Sequence, residues 1–286
     1  MDFIEKLLEA QRAKDSVAVL GIDPQLDGRS GPGVPSGYTL ARFCCEIIEA
    51  CAESVVAIKP QLAFFEARGL GGLHALVEVL KYARARGLVT IADAKRGDIG
   101  STSAAYAEAF LGSGDFGCDA VTVNPYLGSD ALAPFVARVR QGRGLFVLVK
   151  TSNPSSGEFQ DRLSPERPLW EAVAERVHGW GSDFVDANDL SPIGAVVGAT
   201  YPEHARRARD LMPHAMILVP GYGTQGADAE DALAALRSDH RGVIVNASRS
   251  LMYAFRDESD RQPGAAAARA AETMRESLNA AIQRRA

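Results

Sequence analysis

In the stretch "VTIADAKRGDIGST", Val89 to Thr102, the residues Asp93, Lys95 and Asp98 fall within six positions at the end of an apolar run. A lysine between two carboxylates is a held ammonium, able to stabilise developing negative charge and then deliver a proton. Asp23 in "GIDP" and Lys59 in "AIKPQ" end two further runs of the same type. Side chains alternate along a strand, so Ile91, Asp93 and Lys95 share one face while Thr90, Ala92 and Ala94 share the other. The small alanines suit packing beneath helices, which turns the charges inward. The same parity groups Asp23 with Val17, Val19 and Gly21, and Lys59 with Ala57. An isolated buried charge is costly, but ammonium and carboxylate groups in alternation satisfy one another. One Lys–Asp pair is as compatible with closing a fold as with catalysis. Two lysines and two or three carboxylates at neighbouring strand ends favour catalysis.

The elements that must position these residues recur along the chain. Eight β-branched runs, 17–23, 55–61, 88–95, 120–126, 145–152, 193–200, 216–223 and 242–250, alternate with Ala-, Leu-, Glu- and Arg-rich segments of helical type. That rhythm predicts parallel strands with crossover helices, and eight repeats predict a single-domain (β/α)8 barrel spanning 1–286. An open doubly wound sheet is the alternative, but no G-x-G-x-x-G opens the first helix, and polar residues cluster at nearly every strand end. Gly-, Pro- and Ser-rich stretches at 27–38 and 153–168 read as loop insertions on the strand-end face. The tail becomes an Ala-rich helix over about 264–286.

Composition narrows the classes. Of 286 residues, 47% are hydrophobic and 23% charged, as in a globular protein, and a net charge of −5 argues against a broad nucleic-acid or anionic-membrane footprint. The N-terminus lacks a signal-peptide core and no run is long enough to span a membrane, so a cytoplasmic location is expected. Cys44, Cys45, Cys51 and Cys118 form no CxxC pair. Cys44 and Cys51 fall at helical spacing with Leu40, Phe43, Ile47 and Ile48, which reads as a core face. His74, His178, His204, His214 and His240 lie outside the strand-end motifs and indicate neither a zinc site nor a histidine base.

The other end of the chain suggests an anion site. "PGYGTQG" (220–226) follows the seventh run and "NASRS" (246–250) ends the eighth before a predicted helix. Glycines let backbone N–H groups approach an anion, a helix N-terminus adds positive potential, and Arg249 can hold a phosphate through two hydrogen bonds.

With "DAKRGDIGST", "AIKPQ", "GIDP", "TSNP", "PGYGTQG" and "NASRS" in order between residues 19 and 250, the chain resembles the orotidine 5'-phosphate decarboxylases, and its long loops resemble the larger bacterial, mycobacterial-like subgroup. The resemblance implies decarboxylation of orotidine 5'-phosphate to UMP without metal or cofactor, by an alternating Lys59–Asp93–Lys95–Asp98 network. Lys95 is then the proton donor, and Asp98 comes from the other subunit of a homodimer. It further implies that Asp23 and Thr102 hold ribose hydroxyls, Thr102 again across the dimer. Ser152 contacts the pyrimidine, Gln225 bridges phosphate and base from a lid, and Arg249 clamps the phosphate. Lys150 is a rival inward lysine, because the parity of "LFVLVKTS" is ambiguous.

Two other readings compete. Magnesium-dependent sugar-phosphate decarboxylases and aldolases of the same superfamily share the D-x-K-x-x-D element but hold the metal through an acidic residue where this chain has Lys59. A non-catalytic nucleotide-binding barrel would keep the pocket without the reaction.

Overall fold

Apolar parallel strands covered on both faces bury nearly every residue, and here they close into a ring. The computed structural model describes residues 1–25, 33–223, 228–255 and 262–285. Strands β1 (Ala18–Ile22), β2 (Ala57–Pro60), β3 (Val89–Arg96), β4 (Ala120–Val123), β5 (Gly144–Lys150), β6 (Ser191–Val197), β7 (Ala215–Pro220) and β8 (Val243–Ala247) pair in parallel in chain order, and β8 pairs back to β1. This is the expected (β/α)8 barrel, with each of the eight sequence runs supplying one strand.

Helices α1 (Phe3–Lys14), α2 (Leu40–Cys51), α3 (Leu62–Glu66), α4 (Gly69–Ala85), α5 (Gly100–Leu111), α6 (Ser129–Val139), α7 (Leu169–Gly181), α8 (Pro202–Leu211), α9 (Ala229–Ala232), α10 (Arg249–Met252) and α11 (Pro263–Gln283) accompany the strands. Outward strand residues such as Leu20, Ile58, Ala92, Val121, Val147 and Val245 share one apolar layer with the helices. In α2 the Thr39 side chain accepts from the Arg42 amide, and the buried face runs through Phe43, Cys44, Ile47, Ile48 and Cys51. Both cysteines are therefore core residues, as their spacing predicts, and all four cysteines are free thiols. The tail helix α11 packs on α2 and buries Ala267, Ala271, Met274 and Leu278.

The inward layer is separate. Val19, Ala57, Ile91, Ala120, Phe146, Val196, Leu218 and Ile244 fill the barrel, and α1 stoppers its N-terminal end with Phe3, Ile4, Leu7 and Leu8. A capping box between Asp2 and Glu5 starts α1. Phe3 then stands edge-on to Phe146 at 5.8 Å. Gly144 makes this possible, since a Cβ there would lie 2.4 Å from the Phe3 ring. With the bottom plugged by apolar side chains, access to the interior is left to the C-terminal strand ends.

Of the two loop insertions, the first lies partly outside the described residues. The second holds a 3-10 turn at Pro154–Glu158 and a bridge between Leu163 and Pro168. Among the described residues no helix is long and apolar enough to cross a membrane.

Candidate active site

The site is built around a kink in β3. Against β4, Ala92 pairs with Val121 and Arg96 with Val123, so β3 carries extra residues over that span. Lys95 absorbs the irregularity in a left-handed conformation, φ 47°, that a non-glycine residue adopts only when held there. The hold is Thr122 on β4: its Oγ1 accepts the Lys95 amide at 3.0 Å and donates to Asp93 Oδ1 at 3.0 Å.

Asp93 is the hub. Lys59 Nζ bonds its Oδ2 at 2.5 Å, Lys95 Nζ its Oδ1 at 2.5 Å, and Gln61 Nε2 its Oδ2 at 3.0 Å. Lys59 and Asp93 are only 4% and 5% exposed, so they meet where water screens little. Burial alone would raise the Asp93 pKa, but Lys59 and Lys95 outweigh it and hold the carboxyl far below the usual range. Burial likewise disfavours the Lys59 ammonium, and Asp93 with Asp23 reverses that, leaving its pKa raised. Lys59 and Asp93 thus face each other as a charged pair.

Two adjoining cavities open on either side of these charges. One, of about 360 Å³, is lined by Lys59, Asp93, Lys95, Thr122 and Ser152 with apolar Leu148, Val196 and Leu218. The other, of about 230 Å³, shares the same three charged residues and adds Asp23, Tyr222, Asn246, Ser248 and Arg249. A flat ring fits the first, more apolar space. A polar anionic group fits the second.

Asp23 follows β1 at the edge of the second cavity. Burial raises its pKa against the opposing pull of Lys59 and Ser248. Its Oδ1, like Asn246 Oδ1, is buried without a partner among the described residues. Two idle acceptors facing one cavity suit a ligand that donates hydroxyl protons. Arg249 is exposed and makes no ion pair among the described residues. The helix it opens, α10, has four residues and sums few peptide dipoles, so the guanidinium rather than a helix terminus supplies the positive charge.

The fold thus brings together Asp23, Lys59, Asp93, Lys95, Ser152 and Arg249. It does not bring Asp98 or Thr102 to this cavity within one chain. Asp98 Oδ1 accepts from the amide of Ile99 at 2.8 Å, and Thr102 is exposed on α5. Gln225 lies outside the described residues. Lys150 turns away from the array and pairs with Asp161 at 2.6 Å. Thr122, Gln61 and Asn246 went unremarked as site residues in the sequence. Parity was the available signal, since Gln61 shares a face with Lys59 and Thr122 shares one with Ala120.

The profile of the orotidine 5'-phosphate decarboxylase / HUMPS family matches residues 20–260. The orotidine 5'-phosphate decarboxylase of Rhodopirellula baltica is 44% identical over 275 residues, 90% of each chain. That of Caldicellulosiruptor bescii is 38% identical over 303 aligned positions, 99% of each. The structure of Leishmania donovani OMP decarboxylase superposes with a TM-score of 0.79 at 34% identity, covering 99% of both chains. With the matched profile running from β1 past β8, and relatives of this identity aligned end to end, the chain belongs to the orotidine 5'-phosphate decarboxylase / HUMPS family.

Proposed function

We infer that the chain decarboxylates orotidine 5'-phosphate to UMP in pyrimidine biosynthesis, and that the buried Lys59–Asp93–Lys95 array is its reaction centre. The observation that carries the mechanism is the pair of cavities meeting at these three residues. The pyrimidine occupies the more apolar cavity against Ser152. The ribose hydroxyls lie by Asp23 and the phosphate by Arg249, with Gln225 as a further contact of the phosphate and base.

As the bond from C6 to the carboxylate breaks, its electron pair stays on C6 as an sp2 carbanion that ring carbonyls do not delocalise. The Lys95 ammonium stabilises that charge and transfers its proton to C6, while CO2 leaves. Lys95 is half exposed and regains a proton from solvent. Asp93 holds both lysines in place, and Lys59 keeps Asp93 ionised. Phosphate binding, remote from C6, contributes binding energy that is expressed in the transition state.

The site is completed in a homodimer, with Asp98 and Thr102 reaching the other subunit's cavity. Support comes from the position of Asp98 beyond the end of β3 and from the exposed apolar residues Ile99, next to it in sequence, and Tyr126 and Leu127, beyond the end of the neighbouring β4. A reducing cytoplasmic setting suits four free thiols.

The test is to mix the purified protein with orotidine 5'-phosphate and follow loss of the orotate absorbance. No turnover at high enzyme concentration overturns the reading. The magnesium-dependent sugar-phosphate alternative is disfavoured by Lys59, whose ammonium occupies the place of a metal-binding carboxylate. Activity that persists after exhaustive chelation supports the decarboxylase mechanism, and a strict magnesium requirement sinks it.

A further inference from the structure

We propose that Lys150 and Asp161 are positioning residues: their ion pair makes the 153–168 insertion a fixed wall that sets Ser152 against the pyrimidine. This rests on the assignment of Ser152 to the base end of the site.

The end of β5 is tied from two sides. On the loop side, Lys150 Nζ donates to Asp161 Oδ1 at 2.6 Å and to Ser156 Oγ at 3.5 Å. The next residue, Thr151, is held by Gln160 through two bonds, and its hydroxyl donates to Asn153 Oδ1 at 2.7 Å. Its amide donates to Gln160 Oε1 at 3.0 Å, and its Oγ1 accepts from Gln160 Nε2 at 2.7 Å. The Gln160 carbonyl in turn accepts from the amide of buried Trp170 at the start of α7. On the sheet side, the Gly198 amide donates to the Lys150 carbonyl at 2.9 Å. A Cβ on Gly198 would stand 2.8 Å from Ser152 Cβ, so the absence of a side chain at 198 gives Ser152 its space.

The pair is asymmetric in a way that fits this task. The Lys150 side chain is 3% exposed and Asp161 44% exposed. A surface carboxylate therefore neutralises a lysine that the strand has already buried, and parting the loop from the strand end would leave that ammonium buried and unpaired. Arg249, beyond the C-terminal end of β8, shares none of these bonds. Loosening the wall weakens recognition of the base and leaves recognition of the phosphate intact.

The experiment compares UMP with ribose 5-phosphate, which lacks the base, by calorimetric titration of the intact enzyme, Lys150→Met and Asp161→Asn. Each variant should weaken UMP by about tenfold or more and ribose 5-phosphate by less than about twofold. The KM for orotidine 5'-phosphate should rise with that of UMP binding. Equal weakening of both ligands, or no change in either, overturns the proposal. If Lys150→Met fails to fold, Asp161→Asn, altered at the half-exposed end, still decides it. An intact enzyme inert toward orotidine 5'-phosphate would sink the functional reading. An active enzyme whose variants bind UMP normally would sink this inference alone.

Discussion

The Lys95 amide N–H is bonded to Thr122 Oγ1 at 3.0 Å, and that bond holds Lys95 in its left-handed conformation. Backbone held in such a region costs roughly 1–3 kcal/mol and relaxes when its support goes. Thr122→Val removes both the acceptor for Lys95 and the donor to Asp93. It should lower kcat by about 10- to 100-fold with little change in KM, a loss of roughly 1.4–2.8 kcal/mol of transition-state stabilisation. Thr122→Ser keeps the hydroxyl and should recover most of the rate. Steady-state kinetics beside thermal melting separate this from packing: a lowered Tm with intact kcat would make Thr122 structural only.

Complementation addresses which subunit owns Asp98. Homodimers of Lys95→Ala should be inactive, and homodimers of Asp98→Ala nearly so. A mixed dimer carries both defects in one site and neither in the other. Random reassortment makes about half the dimers mixed, so about a quarter of the wild-type activity should return. Mixed dimers seen by mass spectrometry without recovered activity would place Asp98 in its own chain's site.

Arg249 lines the second cavity beyond β8; as the proposed phosphate partner, its truncation in Arg249→Ala should lower kcat/KM by about 30-fold to several thousand-fold, since removing one member of a charge pair commonly costs roughly 2–5 kcal/mol. Turnover of orotidine, which lacks the phosphate, should barely change. An equal loss on both substrates would show that Arg249 acts through the fold.

The pH dependence should separate the two carboxylates. Burial raises the Asp23 pKa, so Asp23 takes up its proton at a higher pH than an ordinary aspartate, whose value is 3.8. The acid limb of kcat/KM should therefore follow Asp23 and move to lower pH in Asp23→Asn. Asp93, held far below that value by its lysines, stays ionised over the same range. A group depressed in the folded state stabilises the fold above its unfolded pKa and loses that contribution as pH falls through the folded one. Asp93 should therefore support stability until the medium is strongly acidic, whereas Asp23, with its raised pKa, should favour the fold once it is protonated. An acid limb unmoved by Asp23→Asn would assign it elsewhere.

Much of this was legible in the sequence because strand parity is local. The alternation of small and charged residues in "IADAK" turned Asp93 inward, and β-branched runs separated by helical segments counted out eight strands. The chemistry-bearing types at strand ends then marked one face of the barrel. The same rule extended to Gln61 and Thr122 would have found them, but a neutral side chain announces itself as a ligand only when its partner is known. Asp93 becomes that partner through the registers of β2 and β4 against β3, which neither strand encodes alone. Lys150 shows the limit most clearly. Its parity left its direction open, and what decided it was Asp161, eleven residues on, delivered by a loop whose path depends on Gln160, Trp170 and Gly198 packing together. Residue type and alternation are properties of a chain segment and can be read from it. Which buried charge meets which partner follows from closure of the barrel, because only there do distant segments exclude water and leave each ion no better neighbour.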